Sequence, residues 1–147
     1  MSRILLTGVN GQVGFELQQT LAPLGEVIAL TRQEMNLADP ASIIAALNQY
    51  QPTIIVNPAA YTAVDKAEIE IEKADLVNRI AVKNIVDACV KYDTTLVHVS
   101  TDFVFDGEKK VPYLESDPAN PTGIYGVSKR NGEIEIERSM SKYFIVR

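Results

Sequence analysis

The stretch "YGVSK" sets Tyr125 and Lys129 four positions apart. On a helix that spacing puts a phenol and an ammonium one turn apart on one face. A phenol is normally too weak an acid to give up a proton near neutrality. A neighbouring ammonium favours the phenolate and lowers the phenol pKa, so the pair is a candidate proton donor. The same spacing also occurs on ordinary solvated helix surfaces, and alone it assigns nothing. Thr101 opens "TDFVFDG"; its hydroxyl can donate to an oxygen on which charge develops, or simply cap the turn that follows. His98 lies inside the apolar run "TLVHVS" and reads as a packed core histidine.

A second group of residues points to a ligand. "TGVNGQVG" spaces Gly8, Gly11 and Gly14 three apart, after an apolar run and before helical patterning. Such a loop uses one glycine for a tight turn, one for close approach to a diphosphate and one for helix–strand packing. The helix start then offers N–H groups and a positive dipole end to the phosphates. This context implies dinucleotide binding. About 20 residues beyond the loop, where a group reading the adenosine ribose is expected, stand Thr31 and Arg32. An arginine there pairs with a 2′-phosphate and favours NADPH, while Glu34 keeps NADH open.

These groups need a scaffold, and the apolar pattern supplies one. "RILLT" (3–7), "EVIAL" (26–30), "TIIVN" (53–57), "TLVHVS" (95–100) and "YFIVR" (143–147) read as buried strands. Between them lie helical patterns. The first carries Val13, Leu17 and Leu21 at four-residue spacing. The second opens with Asp39 as N-cap and Pro40 at the first helical position, and Pro52 closes it. A third, long helix is expected from the loop "PAAYTAVDKAE" to about Lys91, with Val77, Ala81, Ile85 and Ala88 on one face and Asp65 as a candidate cap. The Tyr125 helix follows an irregular, proline-rich stretch from Thr101 to Gly123. "EIEIEK" (68–73) and "GEIEIER" (132–138) read as exposed faces. Continuous apolar strands alternating with helices predict an α/β fold: a doubly wound parallel sheet, Rossmann-like, in three α/β/α layers. Its ligand crevice lies at the carboxyl ends of the strands, and every unusual segment above falls at such an end.

The totals narrow the partners. The chain has 147 residues, 46% apolar and 22% charged, which suits one globular domain with a real core. A net charge of −5 and the absence of a basic run argue against nucleic acid. One cysteine and one histidine exclude an internal disulfide and a cysteine–histidine zinc cluster, so no metal site is expected. No apolar run is long enough to span a bilayer, and a protein of the reducing cytoplasm is expected.

"TGVNGQVG", "STDFVFDG" and "YGVSK" occur in the order and context of extended short-chain dehydrogenases/reductases, which the whole chain resembles. More narrowly, "GQVGFELQ", "NPAAYTAVDKAE" and "STDFVFDG" resemble the dTDP-4-dehydrorhamnose reductase family. That resemblance implies NAD(P)H-dependent reduction of a dTDP-4-keto-6-deoxysugar, a nucleotide-sugar step towards cell-surface polysaccharide. Gly11, Gln12 and Val13 would hold the cofactor diphosphate. Thr31 would stand at the ribose, and Asn36 and Leu37 at the adenine. Asn36 and Thr31 both depart from the family's usual acids. Ala60, Tyr61 and Thr62 would line the nicotinamide-ribose side. Thr101 and Asp102 would meet the substrate, with Tyr125 and Lys129 as the catalytic dyad. Tyr125 would also contact substrate, and both dyad residues the cofactor.

Members of that family run to roughly twice this length, with a second lobe for the nucleotide-sugar. Residues 1–147 are therefore expected to be the dinucleotide-binding domain, the substrate lobe lying outside the chain. An uncovered apolar face and sheet edge are expected to favour a homo-oligomer. A noncatalytic regulatory subunit of the same family remains an alternative, as does another nucleotide-sugar reductase or epimerase. Thr101–Asp102 without a following glutamate speaks against a dehydratase.

Overall fold

Five short runs of aliphatic and β-branched residues form the strands of one parallel sheet. These are β1 (Ser2–Leu6), β2 (Gly25–Ala29), β3 (Ile54–Asn57), β4 (Thr95–Val99) and β5 (Tyr143–Val146), ordered β2-β1-β3-β4-β5. The structure, a computed structural model, describes residues 1–147. Leu5, Ile55 and Leu96 lie side by side across β1, β3 and β4 and are completely buried. Burying each such side chain contributes about 1.5–3 kcal/mol, so this row fixes the register that the rest inherits. The chain reverses direction across the sheet between β1 and β3, the switch point at which ligands enter such folds.

Helices cover both faces, as expected. α1 (Gln12–Thr20) packs Leu17 on one face, over Ile4, Leu6 and Val56. Val13, from the same expected stripe, is half exposed instead, because it sits in the first turn of the helix at the mouth of a cleft. α2 (Pro40–Tyr50) begins as expected: the Asp39 carboxylate accepts the Ala41 N–H, and Pro40 occupies the first turn. Ile43 and Leu47 of α2, Val82, Ile85 and Cys89 of α5 (Ala81–Tyr92) and Ile136 of α6 (Ile124–Ser139) fill the main core on the other face.

The long third helix is not one regular rod. α3 (Val64–Ala67) is a separate turn; α4 (Ile71–Asp75) then runs through a π-turn at Leu76–Ile80 into α5. Asp65 caps nothing, since Ala63 holds the N-cap position. The π-turn shifts the helix face by one residue and buries the polar Asn78. Of the two charge-rich segments, 68–73 is exposed as expected, whereas 132–138 is partly buried. Glu68 reaches across to accept the Ile124 N–H at the start of α6, 2.8 Å away. Glu133 is completely buried, because hydrogen-bonded cations surround it.

α6 is docked so closely that a Cβ at Gly132 would collide with the Asn78 carbonyl oxygen of the π-turn. Gly132→Ala must therefore push the two helices apart. It is expected to destabilise the fold by about 1–3 kcal/mol, read as a fall of about 2–4 °C in Tm per kcal/mol in thermal denaturation. An unchanged Tm would contradict this packing.

Candidate active site

A cleft of about 680 Å³ opens at the carboxyl ends of β1, β2 and β3. Its floor is the glycine loop, where Gly8 adopts a left-handed φ of 59° that glycine alone takes without strain. A Cβ on Gly14 would strike the Gly8 carbonyl oxygen, so loop and helix meet with no room for a side chain. No side chain caps α1, no acidic residue stands in its first turn, and the Gln12 and Val13 N–H groups have no acceptor in the chain. That leaves donors and a positive dipole end facing the cleft, the arrangement an anion needs.

Most of the expected cofactor residues come together here. Gly8, Gly11, Gln12, Val13 and Gly14 line one wall, Thr31, Arg32, Asn36 and Leu37 a second, and Ala60 and Thr62 a third. Glu34 folds back, its carboxylate accepting the Thr31 N–H and the Thr31 hydroxyl at 2.7 Å each. These two bonds, the backbone one foremost, hold its carboxyl below the usual value. The Thr31 hydroxyl is thereby engaged, whereas the exposed Arg32 forms no ion pair and no side-chain hydrogen bond. Asn36 Oδ1 accepts the Ala38 N–H at 3.1 Å, leaving the amide nitrogen free at the cleft wall.

Tyr61, Thr101, Asp102, Tyr125 and Lys129 do not line this cleft. Tyr61 packs instead with Ala67, Ala74 and Tyr125. Its hydroxyl donates to Glu70, and holding that proton on the phenol pushes its pKa up to about 12. Thr101 caps the single turn Asp102–Val104: its hydroxyl oxygen accepts the Phe103 N–H at 3.1 Å. The Phe103 ring meets the Tyr125 ring edge-on, centroids 5.6 Å apart. Tyr125 is 8% exposed, and its hydroxyl has no partner in the chain.

Lys129 is 1% exposed, far from the solvated helix face that its spacing with Tyr125 also allowed. Its ammonium donates to the Val99 carbonyl at the end of β4, 2.7 Å away. Burial depresses its pKa to about 8, against the opposing pull of the Glu133 charge. Glu133 accepts from Ser100 at 2.5 Å, Arg130 at 2.9 Å and both Arg147 Nε and NH2, at 3.0 and 2.8 Å. Burial alone would raise its carboxyl, but the bonds from Arg147, Ser100 and Arg130 outweigh it and leave the pKa below the usual value.

Two residues that join the cleft to the dyad went unread in the sequence. Asn78 accepts the Tyr61 N–H at 2.8 Å and donates to the Tyr61 carbonyl and to the Ser128 hydroxyl. Ser128 in turn donates to the Tyr125 carbonyl at 2.8 Å. The amide thus clamps the Ala60–Thr62 wall to the helix that carries Tyr125 and Lys129. Their signal was polarity out of place. Asn78 stands four residues after Ala74 and four before Val82, within an apolar stripe. Ser128 is the neighbour of Lys129 in the motif itself.

A family model described as RmlD substrate binding domain matches residues 1–147. The spore coat polysaccharide biosynthesis protein SpsK of Bacillus subtilis is 44% identical, over 100% of this chain and 52% of its own length. The dTDP-4-dehydrorhamnose reductase of Burkholderia thailandensis is 43% identical, over 99% of this chain and 49% of its own. The solved dTDP-4-dehydrorhamnose reductase of Bacillus anthracis, in complex with NADP, superposes with a TM-score of 0.95 at 35% identity, covering 99% of this chain and 52% of that one. The chain spans about half the length of the curated relatives it matches.

The buried ammonium makes a pH test possible. Lys129 titrates near 8 in the folded chain and near its ordinary 10.5 when unfolded. Between those values the unfolded state binds more protons, so stability rises with pH there. Lys129→Met is expected to be more stable than the parent below pH 8, with the gap closing between pH 8 and 10.5. Denaturant titrations at pH 7 and pH 10 check this, and a pH-independent gap would contradict a charged, buried Lys129.

Proposed function

The chain belongs to the RmlD substrate binding domain family, and from that premise we propose that it is the cofactor-binding part of an NAD(P)H-dependent dTDP-4-dehydrorhamnose reductase. The reaction is reduction of the 4-keto group of dTDP-4-dehydro-L-rhamnose to dTDP-L-rhamnose, in the cytoplasm. The observation that carries this reading is the meeting of two features at one end of the sheet: a glycine-floored cleft and a phenol–ammonium pair. The relatives named as this reductase and the NADP bound to the Bacillus anthracis protein support it. The chain has no helix long and apolar enough to cross a membrane.

The residues present fit a dinucleotide. The uncapped start of α1 suits a diphosphate, and the cleft volume lies within the range of cofactor sites. Gly11, Gln12 and Val13 would bind the diphosphate through their backbone. Arg32, unpaired at the second wall, would hold a 2′-phosphate, which supports NADPH; Glu34 is already committed to Thr31. Leu37 and Asn36 would enclose the adenine, and Ala60 and Thr62 the ring end. A nicotinamide held there would supply hydride to the carbonyl carbon. Tyr125 gives the carbonyl oxygen its proton, and Thr101 donates a hydrogen bond to the same oxygen. Lys129, cationic below about pH 8, favours the phenolate that Tyr125 becomes. Asp102, exposed beside Thr101, would meet the sugar. The epimerase reading shares both the cleft and the dyad, and the regulatory-subunit reading the cleft alone; the buried, hydrogen-bonded Lys129 favours catalysis over the latter, since binding alone requires no ammonium there.

Fluorescence titration of the chain with NADPH and NADH tests the cleft. Saturable binding is expected, tighter for NADPH, and Arg32→Ala should weaken NADPH about tenfold while leaving NADH nearly unchanged. No binding to either coenzyme would overturn the reading. In the protein that contains this chain, Tyr125→Phe is expected to slow NADPH-dependent consumption of dTDP-4-dehydro-L-rhamnose by at least about 100-fold. Its NADPH affinity should stay unchanged, and retained turnover would remove Tyr125 from the chemistry. Phe144 and Val146, exposed on β5, support self-association; a monomer at all concentrations in sedimentation would contradict it.

A further inference from the structure

Three buried polar side chains that belong to neither the cleft nor the dyad stand in one row across the sheet. Thr7 follows β1, Asn57 ends β3 and His98 lies in β4. Asn57 and His98 are register partners, and the Thr7 N–H donates to the Val56 carbonyl beside Asn57. Each falls two residues beyond Leu5, Ile55 and Leu96, so all three face the main core. None is more than 2% exposed. The Thr7 hydroxyl donates to Asn57 Oδ1 at 2.6 Å, and Asn57 Nδ2 donates to His98 Nδ1 at 3.1 Å. An accepting Nδ1 places the ring proton on Nε2, which is buried and meets no partner.

Apolar residues in this row would bury no polar atom and leave no unpaired ring nitrogen. The row is therefore not a device for stability alone. Its two ends show what it joins. Thr7 leads directly into Gly8, the first residue of the cleft floor. His98 directly precedes Val99, whose carbonyl holds the Lys129 ammonium. Lys129 and Glu133 of α6 are the charged groups that act on His98, and Asn57 faces it from β3. Burial foremost, with Lys129 adding to it and Glu133 opposing, pushes the imidazole down to about 3 and keeps it neutral. No second cation then stands beside the ammonium.

We propose that Thr7, Asn57 and His98 are positioning residues for the reductase reaction, fixing the Val99 carbonyl, and with it Lys129, in register with the glycine loop. The proposal rests on the function proposed above. A Thr7 hydroxyl removed at one edge of the cleft should be felt at Lys129, two strands away across β3 and β4.

The chain holds a single histidine, so its imidazole nitrogens give one unambiguous set of NMR signals. Those signals, the lysine side-chain titration and NADPH affinity would be recorded for the parent chain, Thr7→Val and Thr7→Ser. In the parent, the ring should be the Nε2–H form above pH 5, and its signals should move on NADPH saturation. Thr7→Val should broaden or shift the imidazole signals, move the lysine that titrates near pH 8, and weaken NADPH about fivefold, the loss expected for one buried hydrogen bond. Thr7→Ser should restore all three. If Thr7→Val lowers Tm but leaves the histidine form and the Lys129 titration as in the parent, the row is merely structural and the proposal fails. If the parent binds no NADPH, the cofactor reading fails, while the histidine and lysine signals still decide whether the row positions Lys129.

Discussion

An ammonium taken out of water is the constraint on which the rest of this structure depends. Lys129 is buried beneath α6, and a buried cation persists only with hydrogen bonds and a compensating charge. Val99 supplies the bond at 2.7 Å, and Glu133, one turn further along α6, supplies the charge. Glu133 must then itself stay ionised, which explains why Ser100, Arg130 and Arg147 converge on it. Those contacts bind α6 to the carboxyl ends of β4 and β5. The glycine at position 132 and the π-turn carrying Asn78 allow α6 to sit close enough for that binding.

The tightness of α6 divides the labour along the sheet. On the β1–β3 side the chain leaves backbone donors unpaired and a cleft open, which suits a ligand that brings its own charge. On the β4–β5 side it leaves little open: Tyr125 is nearly buried and Lys129 wholly so. Asn78 spans the two regions, holding the Tyr61 backbone on one side and Ser128 on the other. An ammonium shielded from water acts on a neighbouring phenol more strongly than a solvated one. The shielding costs stability, as functional groups buried at the ends of strands commonly do.

Features that repeat with a period were legible in the sequence. Five strands, the glycine loop and the capped start of α2 all follow from apolar runs and local backbone chemistry, and each lies within a residue or two of its expected place. The π-turn was not legible, because one inserted residue keeps nearly the same apolar spacing, and the break between α3 and α4, at residues 68–70, carries no glycine or proline to mark it. Glu133 was misread for a related reason. "GEIEIER" alternates charge and isoleucine, and only the tertiary positions of Arg130, Arg147 and Ser100 make one of its glutamates internal. Tyr61, expected by resemblance on the nicotinamide-ribose side, packs towards Tyr125, a turn of the loop that no local pattern encodes. His98 was read correctly as a core histidine, but its bond to Asn57 depends on strand register, which only the assembled sheet fixes.

Cleft and dyad act as one site only if the wall at Ala60–Thr62 joins them across a bound cofactor. A crystal structure of the chain grown with NADPH tests it most directly. The expected result is the diphosphate over Gly11, Gln12 and Val13, and the nicotinamide ribose within hydrogen-bond reach of Tyr125 and Lys129. A cofactor anchored on the glycine loop whose nicotinamide end points away from α6 would contradict it, and would leave Lys129 a buried charge without a catalytic role.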